Sequence, residues 1–172
     1  MRRNYIVSNN FLRTRADQDF SKAGEIEWRL LESNKDLGSR VKDLDYISTT
    51  YGVWFNEKYG TYHNYEMYTP VKFDTSGTTK YAVFLEVYAG PEFQKISSSF
   101  KTGWPQVHLP AAYDCITLSV DGRGSAFQGD KFMFSNYKAL GQTERVDQTD
   151  FVRWFNTKGP VANVVDKIRV EN

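Results

Sequence analysis

"KYAVFLEVYAG", residues 80–90, is the stretch on which the fold turns. Tyr81, Val83, Leu85 and Val87 alternate along one face, while Ala82, Phe84 and Tyr88 make most of the other, with Glu86 among them. A period of two marks a strand, and apolar side chains on both faces mean that neither is left to water. Such a strand belongs inside a sandwich, or between a sheet and a covering element. Immediately before it, "DTSGTT" at residues 74–79 reads as a hairpin loop.

Working outward, the other segments favour strands. "DYISTTYGVWF", residues 45–55, is rich in β-branched and aromatic types, with Gly52 a candidate bulge or bend. "NEKYG" at 56–60 turns the chain, and Pro70 argues for an edge position beyond it. "YDCITLSV", residues 113–120, reads as half-buried, with Ile116, Leu118 and Val120 inward and Cys115, Thr117 and Ser119 on the other face. "DGRGSAFQGD" then turns, and "KFMFSNY" returns as a strand carrying Phe132 and Phe134 on one side. Further strands are expected at 4–12, through Tyr5, Ile6 and Val7, and at 24–33, where Ile26, Trp28 and Leu30 alternate with charged residues. "SNKDLGSR" at 33–40 reads as a loop, and residues 90–111 as a long irregular connection fit for a functional loop. Only the end changes period. Phe151, Trp154 and Phe155 follow a capping Thr149 and Asp150, and Val161, Val164, Val165 and Ile168 repeat the helical spacing, although those valines also suit a strand. The expectation is mainly β: a single antiparallel β-sandwich, jelly-roll topology included, with one or two short helices near the C-terminus and one β-rich domain over residues 1–172.

Composition narrows the chemistry. With 172 residues the chain can bury a core without a disulfide or metal staple. Aromatic residues make up 16% of it, which suits strands and extensive interfaces. The net charge of +1 gives no strong field to draw in nucleic acid or anionic lipid. Arg2, Arg3, Arg13 and Arg15 nevertheless stand together near the start with no acidic residue among them, a candidate basic arm over residues 1–15 for weak nucleic-acid contact. No apolar run is long enough for a membrane span, and no signal peptide is legible in "MRRNYIVSNNFLRTR". The single Cys115 excludes an intramolecular disulfide framework.

Reactive sites are hard to find. His63, His108 and Cys115 show no zinc-ligand spacing, so no metal and no cofactor is expected. Cys115 sits mid-strand, where a nucleophile is badly exposed, and no G-x-S-x-G elbow occurs. Gly122, Gly124 and Gly129 fit neither the dinucleotide nor the P-loop pattern, and suit left-handed turn positions instead.

The segment "DYISTTYG" resembles the Ser-Thr-Ser strand of arginine-type ADP-ribosyltransferases, with "WRLLES" placing Arg29 upstream. That resemblance implies Arg29 on the phosphates of NAD and Ser48 supporting the nicotinamide site. The catalytic Glu-x-Glu or Gln-x-Glu of that family falls near "YDCITL", which offers Asp114 followed by Cys115.

Three function classes follow. The first is a structural assembly subunit, a viral or phage virion protein of capsid, decoration or tail, held to other copies or other assembly proteins and made in the cytoplasm without a signal peptide. The second is an NAD-using transferase, and the third a carbohydrate- or nucleic-acid-binding β module. Without a reactive site, the first leads. In "YGTYHNYEMY", residues 59–68, tyrosines recur every third position, so a strand sends Tyr59 and Tyr65 one way and Tyr62 and Tyr68 the other. Tyr65 and Met67 are expected in the core beside His63. Tyr62, Tyr68 and Trp104 are the expected interface or ligand residues.

Overall fold

The computed structural model describes residues 32–42 and 46–171. The expected strands at 4–12 and 24–33, the arm arginines Arg2, Arg3, Arg13 and Arg15, and Arg29 lie outside the described residues. The chain divides into two units, residues 1–44 with 98–100, and residues 45–97 with 101–172. In the first, helix α1 (Lys35–Lys42) occupies most of the stretch read as a loop. Its Asp36 lies in the first turn, where the helix dipole favours an acid.

The second unit carries one five-stranded sheet, counted among the described residues. Its elements run β1 (Ser48–Asn56), β2 (Thr61–Thr69), β3 (Tyr81–Glu86), α2 (Leu109–Tyr113), β4 (Ile116–Val120), α3 (Asp130–Met133), α4 (Thr143–Lys158) and β5 (Val165–Glu171). The spatial order is β1-β2-β4-β3-β5. β1, β2 and β4 pair antiparallel, whereas β4, β3 and β5 pair parallel. The sheet curls into a half-barrel with helices inserted between its strands, so the antiparallel sandwich with C-terminal helices is overturned.

The physical reason lies in the opening stretch. Apolar residues on both faces of β3 admitted two answers, and the structure takes the second, a sheet between covering elements. "DTSGTT" is not a hairpin loop, because β4 lies between β2 and β3. Asp74 instead closes the turn on itself, accepting from the Ser76 amide at 2.8 Å and the Ser76 hydroxyl at 2.9 Å. Parallel neighbours need long crossovers. Residues 87–115 and 121–164 supply them, and they absorb the segments misread above.

Within those crossovers, "KFMFSNY" forms α3 followed by a 3-10 turn at Phe134–Asn136 rather than a strand, burying Phe132 and leaving Phe134 exposed. The 90–111 connection contains a π-helical turn (Trp104–His108) leading into α2. Helix α4 starts six residues before Thr149, so Thr149 and Asp150 lie inside it and cap nothing. The Thr149 hydroxyl donates back to the Arg145 carbonyl at 2.8 Å. After α4 the valines split, a 3-10 turn at Ala162–Val164 and then β5.

The two faces of the sheet differ in kind. One is apolar: Trp54, Tyr65, Met67, Val83, Leu85, Ile116, Leu118 and Val120 pack against Phe151 and Phe155 of α4. Tyr65 lies 5.4 Å from Phe151 and 5.7 Å from Trp154, ring to ring. Gly52 makes room for it: a Cβ there would stand 2.3 Å from the Tyr65 ring. Gly52 therefore marks a close aromatic approach within an unbroken β1–β2 register, not a bulge. The opposite face is polar and also buried. Alternation sends Glu66, Tyr68, Thr117 and Ser119 there, and all four are essentially without exposure. "YDCITLSV" is thus buried on both sides rather than half-buried.

Candidate functional site

Two crossovers leave adjacent parallel strands toward opposite faces of the sheet. The chain after β3 covers the polar face, where Lys101 reaches Glu66, and the chain after β4 returns as α4 on the apolar face. In open α/β sheets ligands bind outside the carboxyl ends of the strands, where the direction of crossover reverses. That point lies between β3 and β4, flanked by the loops 87–94 and 121–129.

The loops are tied together and to the scaffold. The Glu92 amide donates to the Gly124 carbonyl at 3.0 Å, joining one loop to the other. Asp121, at the end of β4, accepts from the amides of Lys95 (2.9 Å) and Ile96 (3.1 Å). Burial pushes the Asp121 carboxyl up, and those two amides oppose the shift. Gly124 has φ +103, and a side chain on it would collide with the Asn136 amide, so this position requires glycine. Arg123 makes a bidentate ion pair with buried Asp147, its Nη2 at 2.7 Å from Oδ1 and its Nε at 2.9 Å from Oδ2. The guanidinium also stacks 3.8 Å above the Tyr59 ring. This second loop is therefore rigid.

On that frame sit exposed aromatics. Tyr88 and Phe93 meet edge to face at 4.6 Å, each about half exposed. Phe127 is 85% exposed and has φ +64, an unusual backbone for an aromatic residue. Tyr88 and Phe93 offer apolar surface and one phenol on the first loop, and Phe127 an exposed ring on the second.

One hydroxyl meets an imidazole among the described residues, Thr61 on the fully buried His63, and it holds that ring inside the fold. Ser125 is buried, and its hydroxyl donates to the Gly122 carbonyl at 2.7 Å. His63 lies fully buried behind the loop. Its Nδ1 donates to the Asp121 carbonyl at 3.0 Å, which leaves Nε2 to accept from the Thr61 hydroxyl at 2.8 Å. Burial holds its pKa below the ordinary histidine value, so the ring is neutral and structural. Cys115 is buried with its thiol pushed up by burial. Among the described residues no group of three or more His, Cys, Asp or Glu could hold a metal ion.

The residues singled out from sequence scatter. Tyr62 is 62% exposed and stacks on Phe55 of β1. Trp104 is exposed and stacks on His108 ahead of α2. Tyr68 is 1% exposed, so it presents no surface at all. Tyr62 and Tyr68 share one face of β2, and the crossover after β3 covers that face at Glu66, where Lys101 reaches it, while Tyr62 stays open. The loop residues Tyr88, Phe93, Asp121 and Arg123 carried no motif that sequence reading recognised, apart from the three glycines of "DGRGSAFQGD".

The fold is that of an α/β protein in which two joined loops stand at the carboxyl ends of adjacent parallel strands, the place where open α/β sheets bind ligands. Comparison with known proteins sharpens that class. No family model matches the chain. It is 39% identical to dipeptidyl peptidase 4 of Bos taurus over 133 residues, 77% of this chain and 17% of that protein. It is 35% identical to prolyl endopeptidase FAP of Mus musculus over 133 residues, again 77% and 17%. Among solved structures, dipeptidyl peptidase 4 of Porphyromonas gingivalis superposes with a TM-score of 0.69 at 25% identity, covering 83% of this chain and 19% of that one. The chain thus spans about a sixth of the length of the curated relatives it matches. These similarities overturn the virion assembly reading, and neither the ADP-ribosyltransferase-like nor the carbohydrate- or nucleic-acid-binding alternative matches them.

Proposed function

We propose that this chain forms part of the catalytic portion of a peptidase of the dipeptidyl peptidase 4 type, supplying the scaffold and one wall of the peptide-binding crevice. The observation that carries the reading is the 39% identity over 133 residues to bovine dipeptidyl peptidase 4. The crevice between β3 and β4 agrees with it. Tyr88 and Phe93 give a peptide side chain an apolar surface, and the exposed Tyr88 hydroxyl is a donor for a peptide carbonyl. The rigid 121–129 loop holds the opposite side.

The test is a chimera in which this segment replaces the matching 133-residue stretch of bovine dipeptidyl peptidase 4, assayed on a chromogenic dipeptide amide. Hydrolysis is expected, and Tyr88→Ala in the chimera should lower kcat/KM by about tenfold or more through lost positioning. A chimera that melts cooperatively at the parent's temperature yet shows no turnover overturns the proposal.

A further inference from the structure

One edge of the sheet carries none of the usual protection. Counted among the described residues, β1 is the outermost strand on its side, with β2 as its one neighbour. Its nine residues, "STTYGVWFN", include no charge and no proline, and their register with β2 is unbroken from Ser48 to Asn56. Edge strands ordinarily keep a further strand away with a lysine, a proline, a bulge or short length. β1 is long, regular and uncharged, the kind of edge to which another strand adds.

The pairing on the other side of β2 shows which backbone groups of β1 point outward. The Asp121 amide donates to the Asn64 carbonyl at 2.9 Å, so Asn64 turns its backbone toward the β4 side. Those groups alternate along a strand, so His63, Tyr65 and Met67 turn theirs toward β1. Their partners there are Trp54, Gly52 and Thr50. Thr49, Tyr51, Val53 and Phe55 therefore aim amide and carbonyl away from the sheet. The same four residues are exposed through their side chains. The Tyr51 hydroxyl donates to the Ser97 carbonyl at 3.1 Å, which fixes that side chain while about half of it stays open. Phe55 stacks on exposed Tyr62 at 4.7 Å, extending the apolar strip onto β2. Tyr51, Val53, Phe55 and Tyr62 together leave roughly 400 Å² of side chain open.

We propose that β1 is a docking edge for a second copy of this chain, the two strands pairing antiparallel about a two-fold axis at Gly52 so that one sheet runs through both molecules. In that register all nine residues of each strand overlap. Tyr51 stands opposite the second copy's Val53, and Thr49 opposite its Phe55, each pair exchanging both backbone bonds. An aromatic beside a β-branched side chain is a favourable cross-strand neighbour. Charge selects the occupant. An uncharged strand sets no like charges against itself across a two-fold axis, and a chain of net charge +1 hardly repels its copy. Lateral pairing covers part of the open strip on each side, which places the contact below the ~1,200 Å² of a stable interface. The dimer is accordingly a weak one that forms with rising concentration. The contact concerns β1 alone and does not depend on the peptidase reading.

Sedimentation equilibrium of the intact chain over a range of concentrations tests it, together with amide exchange read residue by residue. The wild type should pass from monomer to dimer as concentration rises. The Tyr51 and Val53 amides should then gain about tenfold in protection, while those of Gly52 and Trp54 are protected throughout. Val53→Pro removes an amide that makes no bond within the sheet, so the fold should stand while the dimer dissociation constant rises about tenfold or more. Val53→Lys should weaken the dimer likewise, and it keeps the test alive if the proline variant does not fold. Tyr137→Lys, at an exposed aromatic outside the strand, should leave the dimer unchanged. A wild type that stays monomeric up to millimolar protein overturns the proposal. So does a dimer that Val53→Lys leaves intact, or one in which Tyr51 and Val53 gain no protection.

Discussion

Along β4 and the second half of β2 both faces of this sheet are buried, yet they are built on opposite principles. The α4 face is a contact of aromatic and aliphatic side chains, from Trp54 and Tyr65 through Leu85 and Leu118 to Phe151 and Phe155. The polar face carries Glu66, Tyr68, Thr117 and Ser119, with several polar atoms poorly satisfied. Burial alone therefore says little about what a surface contributes. The first face gains from every methylene removed from water, whereas the second spends desolvation on a small number of conditional polar contacts. Strong, unconditional packing suits a scaffold. Conditional fastening suits the side on which a crevice loop must be held.

Breaking the apolar face should have the largest effect. Phe151 is fully buried and touches the Trp54, Tyr65, Trp154 and Phe155 rings. Phe151→Ala should cost about 3–5 kcal/mol, the range for emptying an aromatic site in a packed core. Urea unfolding followed by fluorescence gives the number. A loss below about 1 kcal/mol would mean that α4 is not the main cover of this face.

A subtler perturbation of the same face uses Gly52. The Tyr65 ring occupies the space that a Cβ would take, at 2.3 Å. Gly52→Ala should push that ring off Phe151 and Trp154, and cost about 1–3 kcal/mol as overpacking does. Gly52→Ala combined with Tyr65→Leu should recover part of that loss. Additive losses would show that the glycine matters for backbone reasons instead.

How much of this was legible in the sequence follows the same division. The alternation of β1, β2 and β3 could be read because the period of two is local, and so could Tyr65 and Met67 on one side of β2. Pairing was not local. Whether Tyr81–Glu86 sits beside β2 or beyond β4 depends on crossovers of thirty residues or more, and "DTSGTT" looks the same in either case. "KFMFSNY" carries strand-like aromatics, but the glycine before α3 and the Gly124–Phe132 backbone bond bend it into a helical turn. The crevice was harder still. Tyr88 lay at the end of a recognised strand, yet nothing in one sequence says that its loop meets Gly124 from another crossover. Tyr68 is buried although a polar neighbour such as Glu66 reads as a sign of water, because that glutamate is a partner for Lys101.

The smallest effect should be the most discriminating, because the two faces respond to pH with opposite sign. Against the apolar side, His63 has its pKa lowered by burial below 6.5, so the unfolded chain binds more protons in that window. Its contribution to stability is present above about pH 6.5 and is lost as the pH falls. On the polar face Glu66 is raised above 4.5 by burial, so the folded chain holds the extra proton, and stability falls as the pH rises through that window. Asp121, raised from 3.8, acts in the same direction. Glu66 acts from pH 4.5 upward and His63 from pH 6.5 downward, so the wild-type change in stability between about pH 4.5 and about pH 6.5 is a difference between opposing effects. Glu66→Gln should make that change more positive and His63→Gln should make it less so, measured as the urea midpoint against pH. If both substitutions moved it the same way, one of the two burial-driven shifts would have the wrong sign, and the contrast between the faces would fail on the side that gave the unexpected result.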